Sequence, residues 1–124
     1  MNDYKDYISQ AREYGALHIS NEVLSTIAAG AIMEVDGVCG LAANVGTEFA
    51  ELLGKKSQSK GVKIFAASDS IRIECDVVLY YGYPIPDTCL KIQTEAAEAV
   101  ESTTGICVSG VDVTVCGISL EKPS

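Results

Sequence analysis

Five cysteines and one histidine are the side chains of this sequence that could perform nucleophilic or metal chemistry. They are well separated, because no two cysteines lie within four residues of each other and His18 is far from all of them. Zinc ligands usually come in closely spaced pairs, so this spacing does not indicate a metal site. We expect the cysteines to be small, mostly buried apolar residues in a reducing compartment: Cys39, Cys75, Cys89, Cys107 and Cys116.

The carboxylates and hydroxyls give no stronger catalytic signal. Glu95, Glu98 and Glu101 recur every three residues, but neither a histidine nor apolar walls that would shift a pKa accompany them, which favours a solvated helix face over an acid–base pair. Ser20 is typical of a helix cap, and no histidine is placed to activate it as a nucleophile. The glycine-rich phosphate motifs are absent. The sequence therefore predicts no catalytic, cofactor-binding or metal-binding residue, and a protein that is not an enzyme.

The charge of the chain disfavours nucleic acids and anionic lipids as partners. Seventeen acidic residues against nine basic ones give a net charge of −8. Lys55, Lys56 and Lys60 form the one basic cluster, which we interpret as a solvated loop because no aromatic residues are interleaved with it. No window approaches the ~18 apolar residues of a membrane span, and the N-terminus lacks a secretion signal. We therefore expect a cytoplasmic protein without a membrane span.

The first third of the chain predicts one helix between less regular segments. Residues 1–14 have apolar side chains at three- and four-residue steps, which indicates a weak amphipathic helix or a mobile segment. Residues 16–19 predict a short strand. A helix should then begin after a Ser20 cap and end at Asp36-Gly37. Gly30 falls inside this helix, and we expect it to mark a close crossing by another backbone.

The remainder predicts a small sheet with one long helix. The predicted elements are a short helix at 47–54, a hairpin of strands 62–67 and 71–80, a helix from Pro86 to Gly105, and a strand at 106–116 with a bulge at Ser109-Gly110. We expect an α+β fold of two layers, with a three- to four-stranded mixed or mainly antiparallel sheet and two main helices on one face. Residues 15–118 would form this single domain, between an N-terminal segment at 1–14 and a tail at 119–124.

Two features indicate an interaction surface. Tyr80, Tyr81 and Tyr83 lie where the strand gives way to the helix, and tyrosine is enriched at protein interfaces. The strand at 106–116, which includes Val111 and Val113, is a candidate sheet edge that could pair with another chain.

Several motifs together resemble the alkaline shock protein family of Gram-positive bacteria, also described as envelope stress response proteins. The matching stretches are Ile19-Ser20-x-Glu22-Val23-Leu24-x-x-Ile27-Ala28, Glu34-Val35-x-Gly37-Val38-x-Gly40-Leu41, Gly61-Val62-Lys63-Ile64, Tyr81-Gly82-x-Pro84-Ile85-Pro86, Thr104-Gly105-Ile106 and Val111-x-Val113-x-Val115. The resemblance implies a non-enzymatic cytosolic protein. Some members self-associate, and some gather at the membrane through a membrane-anchored partner. The five cysteines and the tyrosine-bearing N-terminus depart from the family pattern.

We therefore expect a self-associating interaction or scaffold module near the cell envelope: a homo-oligomer that reaches the membrane through a protein partner. Two alternatives remain open from the residues. One is a nucleic-acid-binding module that uses the region from Lys55 to Lys63. The other is a thiol-dependent enzyme or small-ligand protein built around Cys39 or Cys89, which would need an accessible thiol of lowered pKa.

Overall fold

The computed structural model describes residues 7–42 and 61–121. The helix predicted at 47–54 and the cluster Lys55, Lys56 and Lys60 lie outside these ranges. In chain order the elements are β1 (Tyr7–Arg12), β2 (Gly15–Ser20), α1 (Asn21–Met33), β3 (Val38–Leu41), β4 (Val62–Ala66), β5 (Ser70–Tyr80), α2 (Ile85–Thr104) and β6 (Cys107–Ser119).

A four-stranded mixed sheet is built around the long central strand β5. Strand β6 runs parallel to β5 along its whole length, from Ser70 paired with Cys107 to Tyr80 paired with Ser119. Strands β4 and β3 are antiparallel to β5 and share its other edge, β4 beside residues 71–75 and β3 beside residues 77–79. The predicted α+β fold with a mixed sheet is thereby confirmed, as is the hairpin of β4 and β5.

Only one face of the sheet is apolar, and both helices cover it. The inward residues of β5 are at most 1% exposed: Ile71, Ile73, Cys75, Val77 and Leu79. The residues between them are exposed or half-buried and begin with Arg72, Glu74 and Asp76. This alternation is what a sheet with one covered face requires. Leu24 and Ile32 of α1 and Ile92 of α2 close the core from the other side.

The helix ends follow the predicted local chemistry. Val23 N–H donates to the Ser20 side-chain oxygen over 3.2 Å, which caps α1 as expected. Helix α1 ends at Met33, three residues before the predicted stop at Asp36-Gly37. Gly105 has a φ of 77° and terminates α2 in the left-handed conformation, where glycine is favoured.

The prediction of a helix over residues 1–14 is wrong for the part that the structure describes. Residues Tyr7–Arg12 form β1, which pairs antiparallel with β2, so that Ile8 lies opposite Ile19. The three- and four-residue spacing would have required a helix to bury several side chains, yet only Ile8 of β1 is buried. Strand β2 supplies hydrogen-bond partners to the backbone of β1, and the hairpin is attached to the core through Ile8 and the partly buried Ile19.

The role expected for Gly30 is not seen among the described residues. None of their backbone crosses α1 there, and a Cβ added to Gly30 would meet none of their atoms within 4 Å. Glycine in an open helix interior costs about 1 kcal/mol relative to alanine. We therefore expect Gly30→Ala to raise the free energy of unfolding by about 0.5–1 kcal/mol, measured by urea denaturation. Unchanged or reduced stability would contradict this placement of Gly30 in open space.

Candidate interaction surface

The three tyrosines proposed for an interface occupy different environments. Tyr81 is 74% exposed and lies just after the end of β5. Tyr80 is half-buried, and this partial burial, with the nearby Cys39 side chain as the next cause, raises the pKa of its hydroxyl. Tyr83 is 36% exposed and rests on the backbone of Gly37. The structure therefore leaves Tyr81 as the most accessible of the three.

The contact between Gly37 and Tyr83 fixes the connection between β5 and α2. A Cβ on Gly37 would lie 2.9 Å from two ring carbons of Tyr83, so this approach requires glycine. Gly37 also has a φ of 99°, which side-chain-bearing residues rarely adopt. Its carbonyl accepts a 2.8 Å hydrogen bond from the Tyr80 N–H. The ring of Tyr83 is held against the turn before β3, while the residues on either side of it stay accessible.

Further exposed apolar side chains come to the same end of the sheet. The Tyr81 N–H donates to the Ser119 carbonyl over 2.8 Å, which places the last residues of β6 beside the start of α2. Leu120 is 80% exposed there. We define the apical patch as Tyr81, Tyr83, Ile85, Ile118 and Leu120. An apolar cluster of this kind on a charged protein typically marks a binding surface.

Sequence reasoning missed the contribution of Ile118 and Leu120 to this patch. We had predicted that the strand would end at residue 116 and that a tail would begin at residue 119, whereas β6 extends to Ser119. The signal was present in the sequence, because Val115-Cys116-Gly117-Ile118 repeats the type of pattern seen in Val108-Ser109-Gly110-Val111.

Each of these two four-residue patterns contains a β-bulge in β6. Val108 pairs with Ile71 and Val111 pairs with Ile73, so three residue steps of β6 lie opposite two of β5. This extra residue confirms the predicted bulge at Ser109-Gly110. A second register shift occurs between residues 115 and 117. Each extra residue keeps the apolar side chains on the helix-covered face of the sheet. The side chain of Val111 is only 8% exposed and belongs to the core, whereas Val113 is half-buried.

Two side chains of α2 form hydrogen bonds with backbone groups on the outer edge of β6, in the first half of the strand. The Gln93 side-chain amide donates to the Val111 carbonyl over 3.0 Å. The Val108 N–H donates to the Glu101 carboxylate over 2.9 Å. Of the three glutamates considered for acid–base chemistry, Glu101 therefore has a structural contact, and Glu95 and Glu98 are exposed on the helix.

The outer face of the sheet carries an ion pair. The Arg72 guanidinium makes a two-pronged contact with Asp112, with the shortest distance 2.8 Å, and lies over Gly110. Both side chains are about half exposed, so the pair contributes little to stability. It neutralises Asp112, the one carboxylate within β6, which has no lysine, arginine or histidine.

The helix layer is acidic. A groove of about 380 Å³ lies between the end of α1 and the middle of α2, and its described lining includes Glu34, Asp36, Glu95 and Lys91. No group of three or more histidine, cysteine or carboxylate side chains is arranged to hold a metal within residues 7–42 and 61–121. Lys63, the described residue of the proposed basic region, lies on β4 opposite Glu74.

The expectation that the cysteines are mostly buried is wrong, because only Cys75 is buried and Cys39 and Cys89 are half-buried. The thiols of Cys75 and Cys89 have pKa values shifted away from reactivity. Burial, followed by the charge of Asp76, raises the pKa of Cys75 to about 12. Burial also raises the pKa of Cys89, one of the two thiols considered for catalysis. A nucleophilic cysteine needs the opposite shift, because the thiolate is the reactive form. Cys107 and Cys116 are exposed on β6.

The differences in burial and pKa among the cysteines predict the order in which their thiols react. At pH 8 we expect a maleimide to modify Cys107 and Cys116 first and to leave Cys75 unmodified in the folded protein, because both burial and the high pKa suppress its thiolate. Pulse labelling followed by peptide mass spectrometry measures this, with the urea-unfolded chain as the control in which all five thiols react. Modification of Cys75 as fast as Cys107 would contradict the prediction.

Comparison with known proteins identifies the family. Residues 9–120 match the ASP23 family, which is described as having a cell envelope-related function. The chain belongs to this family. It is 30% identical over 113 residues to the uncharacterized protein YloU of Bacillus subtilis strain 168, covering 90% of this chain and 94% of YloU. It is 31% identical over 107 residues to YqhY of the same strain, covering 86% and 79%.

Among solved structures, the fold is similar to that of MamM CTD variants. The first of these has a TM-score of 0.49 at 11% sequence identity and covers 77% of this chain and 93% of the other. We draw nothing about function from this likeness. Within the described ranges, neither helix of this family member combines the length and the apolar character needed to cross a lipid bilayer.

Proposed function

We propose that this member of the alkaline shock family is a non-enzymatic interaction module that acts at the cell envelope. It associates with itself and reaches the membrane from the cytoplasm by binding a membrane-anchored protein. The observation that carries the proposal is the apical patch, where Tyr81 and Leu120 are 74% and 80% exposed on a chain of net charge −8. Exposed apolar side chains grouped on a highly charged protein indicate a surface that another protein covers.

The family description supports the envelope part of this proposal. The raised pKa values of Cys75 and Cys89 weigh against the alternative of a thiol enzyme. The nucleic-acid alternative depends on Lys55, Lys56 and Lys60, outside the described residues, and it stays an untested prediction. The excess of acidic over basic residues, 17 to nine, opposes it.

A co-sedimentation experiment tests the membrane-anchored partner. The purified chain is incubated with membranes from the cells that produce it, with the same membranes after protease treatment, and with protein-free vesicles of the same lipids. We expect binding to the untreated membranes alone. Equal binding to protein-free vesicles would show a lipid surface as the target, and no binding to any of them would contradict the proposed partner.

Substitutions in the apical patch give this experiment its specificity. We expect Tyr81→Ser combined with Leu120→Ser to weaken the membrane association about tenfold or more, because exposed apolar anchors dominate the energy of such contacts. The matched control is Tyr14→Ser, which removes a tyrosine that is 95% exposed in the turn between β1 and β2. An equal loss of binding in the control variant would count against the apical patch.

A further inference from the structure

The outer edge of β6 is only partly occupied among the described residues. The Val111 carbonyl points away from β5, because it accepts a hydrogen bond from Gln93 of α2. Hydrogen-bonding directions alternate along a regular strand, so Val113 and Val115 also direct their N–H and C=O groups outward. Nothing within residues 7–42 or 61–121 pairs with these two residues on that side. We call the outward groups of Val113 and Val115 the open edge.

Between the two bulges of β6, the open edge lacks the charged and proline residues that usually keep sheet edges apart. Natural edges carry lysine, proline or inward-pointing charges that prevent pairing. Residues 113–120 contain no proline, lysine, arginine, histidine or carboxylate side chain. Asp112, just before them, is neutralised by Arg72. On a chain of net charge −8, this stretch is where two copies can approach without repulsion between like charges.

We propose that the open edge binds the open edge of a second copy of this chain, antiparallel, across a two-fold axis at Thr114. Val113 of one copy then lies opposite Val115 of the other, and the two pairs exchange four backbone hydrogen bonds. Thr114 faces Thr114 across the axis, with its own backbone groups still directed to β5. The two sheets join into one continuous sheet. This inference rests on the proposed self-association and names its contact.

The register follows from what lies on either side of the open edge. An axis at Val113 would place Val111 opposite Val115 of the other copy, but the Val111 carbonyl is already bonded to Gln93. An axis at Val115 would require pairing beyond the second bulge, which begins at residue 116. The axis at Thr114 uses only the outward N–H and C=O groups of Val113 and Val115. The same surface of each copy then contacts the other, as a two-fold contact requires.

Side chains on both faces fit this arrangement. Val113 and Val115 pack against the core but are only half-buried in one copy. Placing them opposite each other forms β-branched cross-strand pairs on the helix-covered face. Leu90 is 63% exposed and shares the β6 side of α2 with Gln93, one turn away, so it flanks the joined strands.

A disulfide at the axis tests the register. In a background with Cys107→Ser and Cys116→Ser, Thr114→Cys would bring two thiols together across a non-hydrogen-bonded pair, with Cβ atoms about 4.5 Å apart. We expect mild oxidation to convert most of this variant into a covalent dimer. The matched control is Asp76→Cys, because Asp76 is the exposed neighbour of Thr114 on β5 and would be too far from its copy to cross-link.

A charge at the axis provides the second test. We expect Thr114→Lys to weaken dimerisation at least tenfold in sedimentation velocity, while its circular dichroism stays unchanged and Thr114→Val dimerises normally. Two results would show that the contact is wrong while the proposed function stands: a wild type that dimerises although Thr114→Cys cross-links no faster than Asp76→Cys, or one that dimerises although Thr114→Lys has no effect.

A monomeric wild type would overturn both this contact and the proposed self-association. Binding to the membrane-anchored partner is measured separately, by co-sedimentation.

Discussion

Replacing Ile73 with alanine is expected to lower the free energy of unfolding by about 3–4 kcal/mol. Ile73 is 0% exposed at the centre of β5. It pairs with Ile64 of β4 on one side and with Val111 of β6 on the other, and both of these residues are buried. Truncation removes the transfer free energy of three carbons and leaves a cavity that neighbours on three strands hold open.

Urea denaturation followed by circular dichroism measures this effect, with an unchanged m-value showing that the unfolding reaction is the same. The control is Val23→Ala on α1, where the side chain is 48% exposed and we expect a change within about 0.5 kcal/mol. A loss below about 1 kcal/mol for Ile73→Ala would mean that β5 is not the centre of the core.

Replacing Gly37 with alanine is expected to cost about 2–4 kcal/mol, which is unusual for adding a single methyl group. Two causes combine. The φ of 99° is strained for any residue with a side chain, and the new Cβ would lie 2.9 Å from the ring of Tyr83. The matched control is Gly30→Ala, where the added Cβ meets no described atom within 4 Å. We expect this variant to gain stability.

The two causes separate in a double-mutant cycle. Tyr83→Ala removes the ring, so Gly37→Ala in that background should retain only the backbone strain, about 1–2 kcal/mol. If Gly37→Ala costs the same with and without the ring, Tyr83 does not rest on Gly37. If it costs nothing in either background, the left-handed turn before β3 is absent.

The elements with strong local signals could be predicted from the sequence. The β4–β5 hairpin has strict alternation, and Ser20 and Gly105 are typical capping residues at helix ends. These features depend on a few neighbouring residues, so sequence alone specifies them. The bulge at Ser109-Gly110 was also visible, because the apolar alternation goes out of phase there.

The elements that depend on distant partners could not be predicted. Strand β1 has only one buried side chain, Ile8, and exists because β2 pairs with it. The open space beside Gly30 depends on where the other helix and the sheet lie, which no local pattern encodes. The parallel direction of β6 follows from α2 crossing over the sheet, and it determines which edge of β6 stays open.

The candidate surface was predicted in outline and corrected in detail. The tyrosines at the end of β5 were recognised from composition, but Tyr83 proved to be held on Gly37 and Val111 proved to be a core residue. Ile118 and Leu120 enter the apical patch only because β6 runs beyond its predicted end and returns beside Tyr81.

Static light scattering across a concentration series tests self-association most directly. Because the open edge and the apical patch are uncharged surfaces on an acidic chain, we predict that the molar mass rises with concentration from 13.1 kDa to at least twice that value and persists at high salt. A mass that stays at 13.1 kDa up to millimolar concentration would contradict a self-associating module.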